Sequence, residues 1–287
     1  MVVVEQQGGE ALHPQPALAA AFRGGEGSPL VCLHGFTDTW WAWKPVLPQL
    51  AREHCVYAPT LPGHFGGPGL RGAELSTMED FVDLVEGLLD DEGIDEAHLV
   101  GNSGGGWVAL ALAARGRALS VTALSPAGGW EAGSRIDRPI RRFFARSQRL
   151  APRLVKYQRA IAARPRARAF ALRDVVANPR ALSPDSALRI FEASAECEIA
   201  APVLELWRQR VFPTPVAQVD CPVRLAWGTH DSLLPAAQCS MGLTTISQAE
   251  WLLLPGAGHV PTHDDPERVA RVILELTRRV DRQGAVR

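Results

Sequence analysis

The sequence predicts an α/β fold with a mostly parallel central sheet, helices on both of its faces, and one long helical insertion. Three observations carry that expectation. Apolar runs of four to six residues alternate with helical runs of ten or more, the rhythm of βαβ units. Those apolar runs do not alternate with polar residues, as befits strands buried on both faces. The rhythm stops at Gly128-Gly129 and resumes only at Val223. The expected organisation is therefore a core made of residues 1–129 and 216–287, with residues 130–215 as a helical insertion.

Along the chain, Pro16 to Phe22 reads as a first strand that ends at the turn Gly24-Gly25-Glu26-Gly27, and Pro29 to Leu33 as a second. Trp40 to Ala51 reads as a helix, and Cys55 to Pro59 as a strand closing on Leu61-Pro62-Gly63-His64. Ser76 is the expected N-cap of an amphipathic helix Thr77 to Glu92, with Glu79 three residues on as in a capping box. Ala97 to Val100 is a strand, Trp107 to Ala114 a helix, and Val121 to Leu124 another strand. Trp130 to about Pro215 carries helical or irregular signals only. Val223 to Trp227 and Glu250 to Leu254 restore the strands, and Pro266 to Val280 closes the chain as a helix.

Composition narrows the function classes. With 287 residues, 46% of them hydrophobic, the chain can bury a substantial core. The 30 Lys and Arg nearly balance the 31 Asp and Glu, which gives no sign of nucleic acid as a partner. Five dispersed cysteines (Cys32, Cys55, Cys197, Cys221, Cys239) lack CxxC spacing, which argues for a reduced compartment and against disulfides or a zinc site. Met1 to Glu10 has no basic leader, and no run approaches the ~18 apolar residues of a membrane span. The expectation is a cytoplasmic protein that does not insert into membranes. Asp264-Asp265 has no spaced carboxylates around it, so no metal is expected, and nothing calls for a cofactor.

The chemistry concentrates at Gly101-Asn102-Ser103-Gly104-Gly105, between a strand and a helix. A serine with glycine two residues away on each side, at such a turn, is a nucleophile elbow. A serine hydroxyl needs a base, and the base needs an anion to fix its tautomer and stabilise its charge. Asp231 follows the strand Val223 to Trp227, and His259 follows Trp251 to Leu254, so all three candidates end strands on one sheet edge. His263 competes with His259, but it lies beside Asp264-Asp265-Pro266, which reads as the cap of the last helix. The oxyanion hole is expected from the backbone N–H groups of Phe36 and Gly104. His34 buttresses that loop or borders the pocket, and Trp107 reads equally as core or pocket wall. His64 and His98 read as structural.

The set His34-Gly35-Phe36, Pro62-Gly63-His64, the elbow, Gly228-Thr229-His230-Asp231 and Gly258-His259 resembles the α/β-hydrolase superfamily with a helical cap, from about Leu30 to Val280. The resemblance implies Ser-His-Asp catalysis through an acyl-enzyme, and by itself no specificity. The leading expectation is a carboxylesterase-like hydrolase of a small or medium ester or thioester. Epoxide hydrolases of the superfamily carry a carboxylate where Ser103 stands, and need two cap tyrosines where this cap has Tyr157 alone. Hydrolases of carbon–carbon bonds in vinylogous diketo acids share the serine triad and are the runner-up, although Val260-Pro261-Thr262 lacks the tryptophan that often follows their histidine. A non-catalytic binding protein on the same scaffold is the third reading. Oligomeric state is not legible.

One composition shift stands out. Residues 135–173 hold twelve arginines and Lys156 against a single acid, Asp137. The bland reading is a solvated helix face; the sharper one is that an arginine meets an anionic substrate group. Attachment to a membrane surface is the weaker option at this level, because the apolar face is not rich in large hydrophobes.

Overall fold

Among the residues described by the computed structural model (20–70, 72, 74–209 and 219–284), seven strands form one sheet in the order β1-β3-β2-β4-β5-β6-β7. They are β1 (Ala21–Gly24), β2 (Ser28–Leu33), β3 (His54–Pro59), β4 (Ala97–Asn102), β5 (Ala118–Leu124), β6 (Val223–Gly228) and β7 (Glu250–Leu254). Only β1 runs antiparallel, against β3; every other neighbour is parallel. The helices in chain order are α1 (Leu47–Leu50), α2 (Met78–Asp91), α3 (Gly104–Ala114), α4 (Asp137–Leu154), α5 (Gln158–Ala163), α6 (Pro165–Leu172), α7 (Pro184–Ala195), α8 (Ala200–Arg208), α9 (Ala236–Cys239), α10 (Pro261–Asp264) and α11 (Pro266–Gly284).

Side chains alternate across a strand, so a sheet buried on both faces needs apolar residues at every position. In β2, Leu30 and Cys32 pack with Trp43, Leu50, Val269 and Ile273, while Val31 and Leu33 pack with the face that carries Val82, Val85 and Val108. The strand order reverses at β2: the chain goes to β3 on one side, then to β4 on the other. Ligands bind at such a switch point in open parallel sheets. The loops after β2 and β4, which carry Phe36 and Ser103, meet there.

Several sequence expectations shift on inspection. The first strand starts at Ala21, and Pro16 to Ala19 lie outside the described residues. Trp40 to Ala51 is not one helix but a 3-10 turn, Trp40–Trp43, followed by α1. Pro45 and Pro48 are the physical reason, since neither has an N–H to continue a helix. The cap of α2 is Thr77, not Ser76, and its reciprocal partner is Asp80, not Glu79. Thr77 Oγ1 accepts from the Asp80 N–H at 3.2 Å, and the Asp80 carboxylate accepts from the Ser76 and Thr77 N–H groups at 2.6 and 2.8 Å.

Between β5 and β6 the described residues are helical or irregular, with no strand; residues 210–218 lie outside the description. One backbone bond and one carboxylate hold this insertion to the loop after β7. Val260 N–H donates to Val175 O at 2.9 Å. Asp264, read from sequence as part of a helix cap, instead accepts from the Gly258, Ala177 and Asn178 N–H groups at 2.8–3.0 Å. Asp265 alone caps α11, accepting from the Arg268 N–H.

The opposite sheet edge holds a buried polar network at the strand starts. His54 pairs with Ser28 and Thr277, and His98 with Ser120 and Asp281, all at 2.8–2.9 Å. Burial lowers the pKa of both imidazoles; His98 lowers that of His54 further, and Asp281 opposes the effect at both. Histidine in the unfolded chain titrates near 6.5, so below that pH the unfolded state binds more protons than the fold does. Stability contributed by these groups is thus full above about pH 6.5 and is lost as pH falls below it. The urea midpoint is expected to drop between pH 7 and pH 5. Replacing both histidines by glutamine should lessen that drop without abolishing it, because burial lowers His34, His64 and His263 as well, and an unchanged slope would count against this origin.

Candidate active site

Ser103 joins β4 to α3 with φ 55° and ψ −117°, a backbone conformation that L-residues rarely adopt. Holding it costs about 1–3 kcal/mol, which the packing around it must supply. The flanking glycines are sterically required. A Cβ on Gly101 would lie 2.1 Å from Gly105 O, and one on Gly105 would lie 2.3 Å from Leu33 O. Backbone bonds pin the turn to β5: Ser103 N–H donates to Leu124 O, and Ala127 N–H donates to Ser103 O, both at 2.9 Å. The serine is 6% exposed and borders a chamber.

The two candidate oxyanion donors lie beside it. A Cβ on Gly104 would sit 3.5 Å from Phe36 N, and one on Gly35 would sit 3.3 Å from Ser103 Cβ, so the β2 loop presses its backbone against the elbow. Gly104 is the first residue of α3, where N–H groups have no intrahelical acceptor and the helix dipole favours negative charge. His34 fixes the loop. Its Nε2 accepts from the Leu61 N–H at 2.9 Å, so its proton sits on Nδ1 and is donated to Gly35 O at 2.8 Å. Burial, and secondarily His64, holds this imidazole well below its usual range and therefore neutral.

Asp231 and His259 form a buried pair. Asp231 Oδ2 accepts from His259 Nδ1 at 2.9 Å, and Oδ1 accepts from the Leu233 and Leu234 N–H groups at 3.0 and 2.8 Å. With its proton fixed on Nδ1, the ring keeps Nε2 as a free base. Asn102, the residue before Ser103, donates its amide to His259 O at 2.9 Å and to Leu124 O at 3.1 Å. The elbow and the histidine loop are thus held by one side chain. Asp231 bonds His259 and not His263, whose pKa burial drops to about 4. A second carboxylate, Asp38, is raised to about 6 by burial, against the opposing pull of its bond from the Thr39 N–H and of the His259 charge.

The chamber holds about 770 Å³ of empty space, part of it continuous with solvent. His34, Phe36, Ser103, Gly104 and Trp107 all line it. Trp107 is both wall and core, since it is 2% exposed and a Cβ on Gly128 would strike its ring at 2.7 Å. The insertion supplies Phe144 of α4 and Trp207 of α8; Phe144 meets Phe36 edge-on at 5.1 Å and Trp207 at a tilt at 6.2 Å between ring centres. Trp207 Nε1 donates to Asp137 Oδ1 at 2.5 Å. Among the described lining residues there is no lysine, arginine or carboxylate. His64 also lines it, with Nε2 buried and without a hydrogen-bond partner, and burial lowers its pKa to about 4. Sequence reasoning missed Asn102, Asp38 and the Phe144–Trp207 wall. Asn102 lay in view within the elbow; nothing in sequence links Asp137 to Trp207.

A serine on a strained strand-to-helix turn at the switch point, against the Phe36 and Gly104 backbone, with a bonded His–Asp pair tied to the same turn through Asn102, defines a hydrolase-type site. The chain matches the model of the alpha/beta hydrolase family over residues 30–272 and belongs to that family. It is 34% identical over 200 residues to the epoxide hydrolase EphH of Mycobacterium tuberculosis, covering 68% of this chain and 92% of that one. It is 32% identical over 263 residues to the dihydrolipoyllysine-residue acetyltransferase component of an acetoin cleaving system from Pseudomonas putida, covering 89% of this chain and 65% of that longer one. Among solved structures, a thermophilic esterase from Thermogutta terrifontis superposes with a TM-score of 0.67 at 26% identity, over 91% of this chain and 93% of that one.

The Asn102 bridge yields a test. Asn102→Ala is expected to slow covalent labelling of Ser103 by a fluorophosphonate at least tenfold, at a stability cost of about 1–3 kcal/mol for the unpaired carbonyls. An unchanged labelling rate would remove Asn102 from the site.

Proposed function

We propose that the chain is a serine hydrolase that cleaves a carboxylic ester or thioester with an apolar acyl group, through an acyl-enzyme. The observation that carries this reading is the strained Ser103 against the Phe36 and Gly104 amides, with the Asp231–His259 pair tied to the same turn by Asn102. His259 Nε2 takes the Ser103 proton as Oγ attacks the carbonyl carbon. The oxyanion then rests on the two amides, each donor being worth about 2.7–4 kcal/mol of barrier. Asp231 stabilises the imidazolium. His259 returns the proton to the leaving alkoxide or thiolate, then activates water to release the acid. In this reading residues 130–215 act as a cap, and Phe144 and Trp207 form the acyl-side wall.

Chemistry separates this reading from its rivals. Serine attack on an epoxide would leave an ether that water does not cleave, whereas a carboxylate leaves a hydrolysable ester. Tyr157 is half-exposed, and no tyrosine lines the chamber among its described residues to donate a proton to an epoxide oxygen. Carbon–carbon hydrolysis of diketo acids is favoured by two short matches: 42% identity over 95 residues to a 2-hydroxymuconate semialdehyde hydrolase from Pseudomonas, and 37% over 94 residues to a 2-hydroxy-6-oxo-2,4-heptadienoate hydrolase from Pseudomonas putida, each covering 32% of this chain. A substrate carboxylate would nonetheless meet no cation on the apolar wall. The cap arginines, one of which the sequence offered as a substrate-anion partner, do not line this chamber.

Three measurements test the proposal. Intact mass after fluorophosphonate treatment should show one adduct on the wild type and none on Ser103→Ala or His259→Ala. A folded but unlabelled wild type would move the binding-protein reading forward. Asp231→Asn should lower kcat by about 10⁴ by disturbing the tautomer. Across p-nitrophenyl esters, kcat/KM should rise about fourfold per methylene of acyl chain while the chamber fills, at about 0.8 kcal/mol each. Phe144→Ala should blunt that rise, and a preference for charged or diketo-acid substrates would overturn the apolar assignment.

A further inference from the structure

The basic segment 135–173 holds charge that the fold does not use. Its thirteen bases against one acid leave 17 basic and 30 acidic residues in the rest of the chain, so the molecule is strongly bipolar despite a net charge of −1. On the body, Arg115, Arg117 and Arg278 each meet a carboxylate at close range. Among the described residues of the insertion, Arg173–Asp174, at 3.7 Å, is the ion pair of this segment. Its lone acid, Asp137, is buried and bonded to Trp207, and so does not neutralise the surface. Arg168 is buried and serves backbone carbonyls.

The rest is arranged. Arg138, Arg142, Arg146, Arg149 and Arg153 recur at four, four, three and four residues, one face of α4, and all are exposed. Directly after this stripe, large apolar side chains stand in solvent. Val155 is 49% exposed, Tyr157 50% and Phe170, on α6, 71%. Two of these carry a cation on the ring: Lys156 lies 5.0 Å from the Tyr157 centroid, and the Arg173 guanidinium 4.6 Å from that of Phe170. A merely solvated face usually intersperses both signs of charge, and on this one the exposed rings each carry a cation.

We propose that the basic segment 135–173 docks peripherally on an anionic phospholipid surface. Arginines on one helix face meet headgroup phosphates, while Val155, Tyr157 and Phe170 enter the boundary with the acyl chains, the division of labour of interfacial helices. Each base near an anionic surface strengthens partition several-fold, and the acidic body is repelled, which orients the molecule with the insertion toward the lipid. Protruding single rings with a cation on each suit a soft, fluid surface better than the shaped groove of a protein partner. The exposure of these side chains, invisible to a count of residues per helix face, reverses the weak standing that membrane attachment has from sequence.

The test is co-sedimentation of the full chain with vesicles of phosphatidylcholine alone, or with roughly 30 mol% phosphatidylglycerol. The wild type should pellet with the anionic vesicles only, and should be released by about 0.5 M salt, where screening is nearly complete. Arg149→Glu/Arg153→Glu should lower partition at least tenfold and Tyr157→Ser/Phe170→Ser at least fivefold. Both variants should keep the wild-type rate of fluorophosphonate labelling, which shows the fold intact. Wild type remaining in the supernatant with anionic vesicles at low salt, as a surface made for an acidic protein would, overturns the proposal. So does equal binding by the variants. Because partition is read without turnover, its failure is distinct from failure of the hydrolase assignment.

Discussion

The close approach of backbone at the β4–Ser103–α3 turn is the constraint on which the rest of the site depends. Two glycines at Gly101 and Gly105 let three backbone segments (the end of β4, the start of α3 and the end of β2) come closer than any side chain permits. That contact forces Ser103 to positive φ and places the first N–H groups of α3 beside the β2 loop. Strain of this kind survives only where the surroundings over-determine it. Here the bonds to Leu124 and Ala127, and a nearly all-buried α3, do so.

Electrostatics and packing then divide the work by sheet edge. At the carboxyl edge the polar groups are few and aimed: a neutral His34 holds the amide loop, and Asp231, saturated by two N–H groups, leaves one oxygen for His259. The chamber that Ser103 and His34 border is apolar, so any charge that develops there feels weak screening. At the amino edge each buried histidine is bonded through both ring nitrogens, His54 to the Ser28 and Thr277 hydroxyls and His98 to the Ser120 hydroxyl and the Asp281 carboxylate, and they do structural work.

The insertion joins two different surfaces. Its inner side contributes the aromatic wall of the chamber, through Phe144 and Trp207, and its outer side carries unpaired arginines and exposed rings. Asp264 and the Val175–Val260 bond fasten it to the same loop that carries His259. The position of the insertion is thereby tied to the histidine loop.

The α/β class, the strand positions from Pro29 onward, the elbow, and the pairing of Asp231 with His259 were legible in sequence because each rests on local rules. Strand runs follow from two-sided burial, and a tight turn needs glycine wherever it occurs. Element edges were less legible. Thr77 rather than Ser76 caps α2, and two prolines divide what apolar spacing presents as one helix, because a boundary is decided by a few competing hydrogen bonds. What only the tertiary structure decided concerns residues distant in sequence. The Asn102–His259 bridge, the Asp137–Trp207 bond, the carboxylate tie at Asp264 and the absence of arginine from the described chamber wall all depend on how separate elements meet. Local rules set which conformation a segment prefers; the meeting of non-local side chains is set by packing, which no periodicity records.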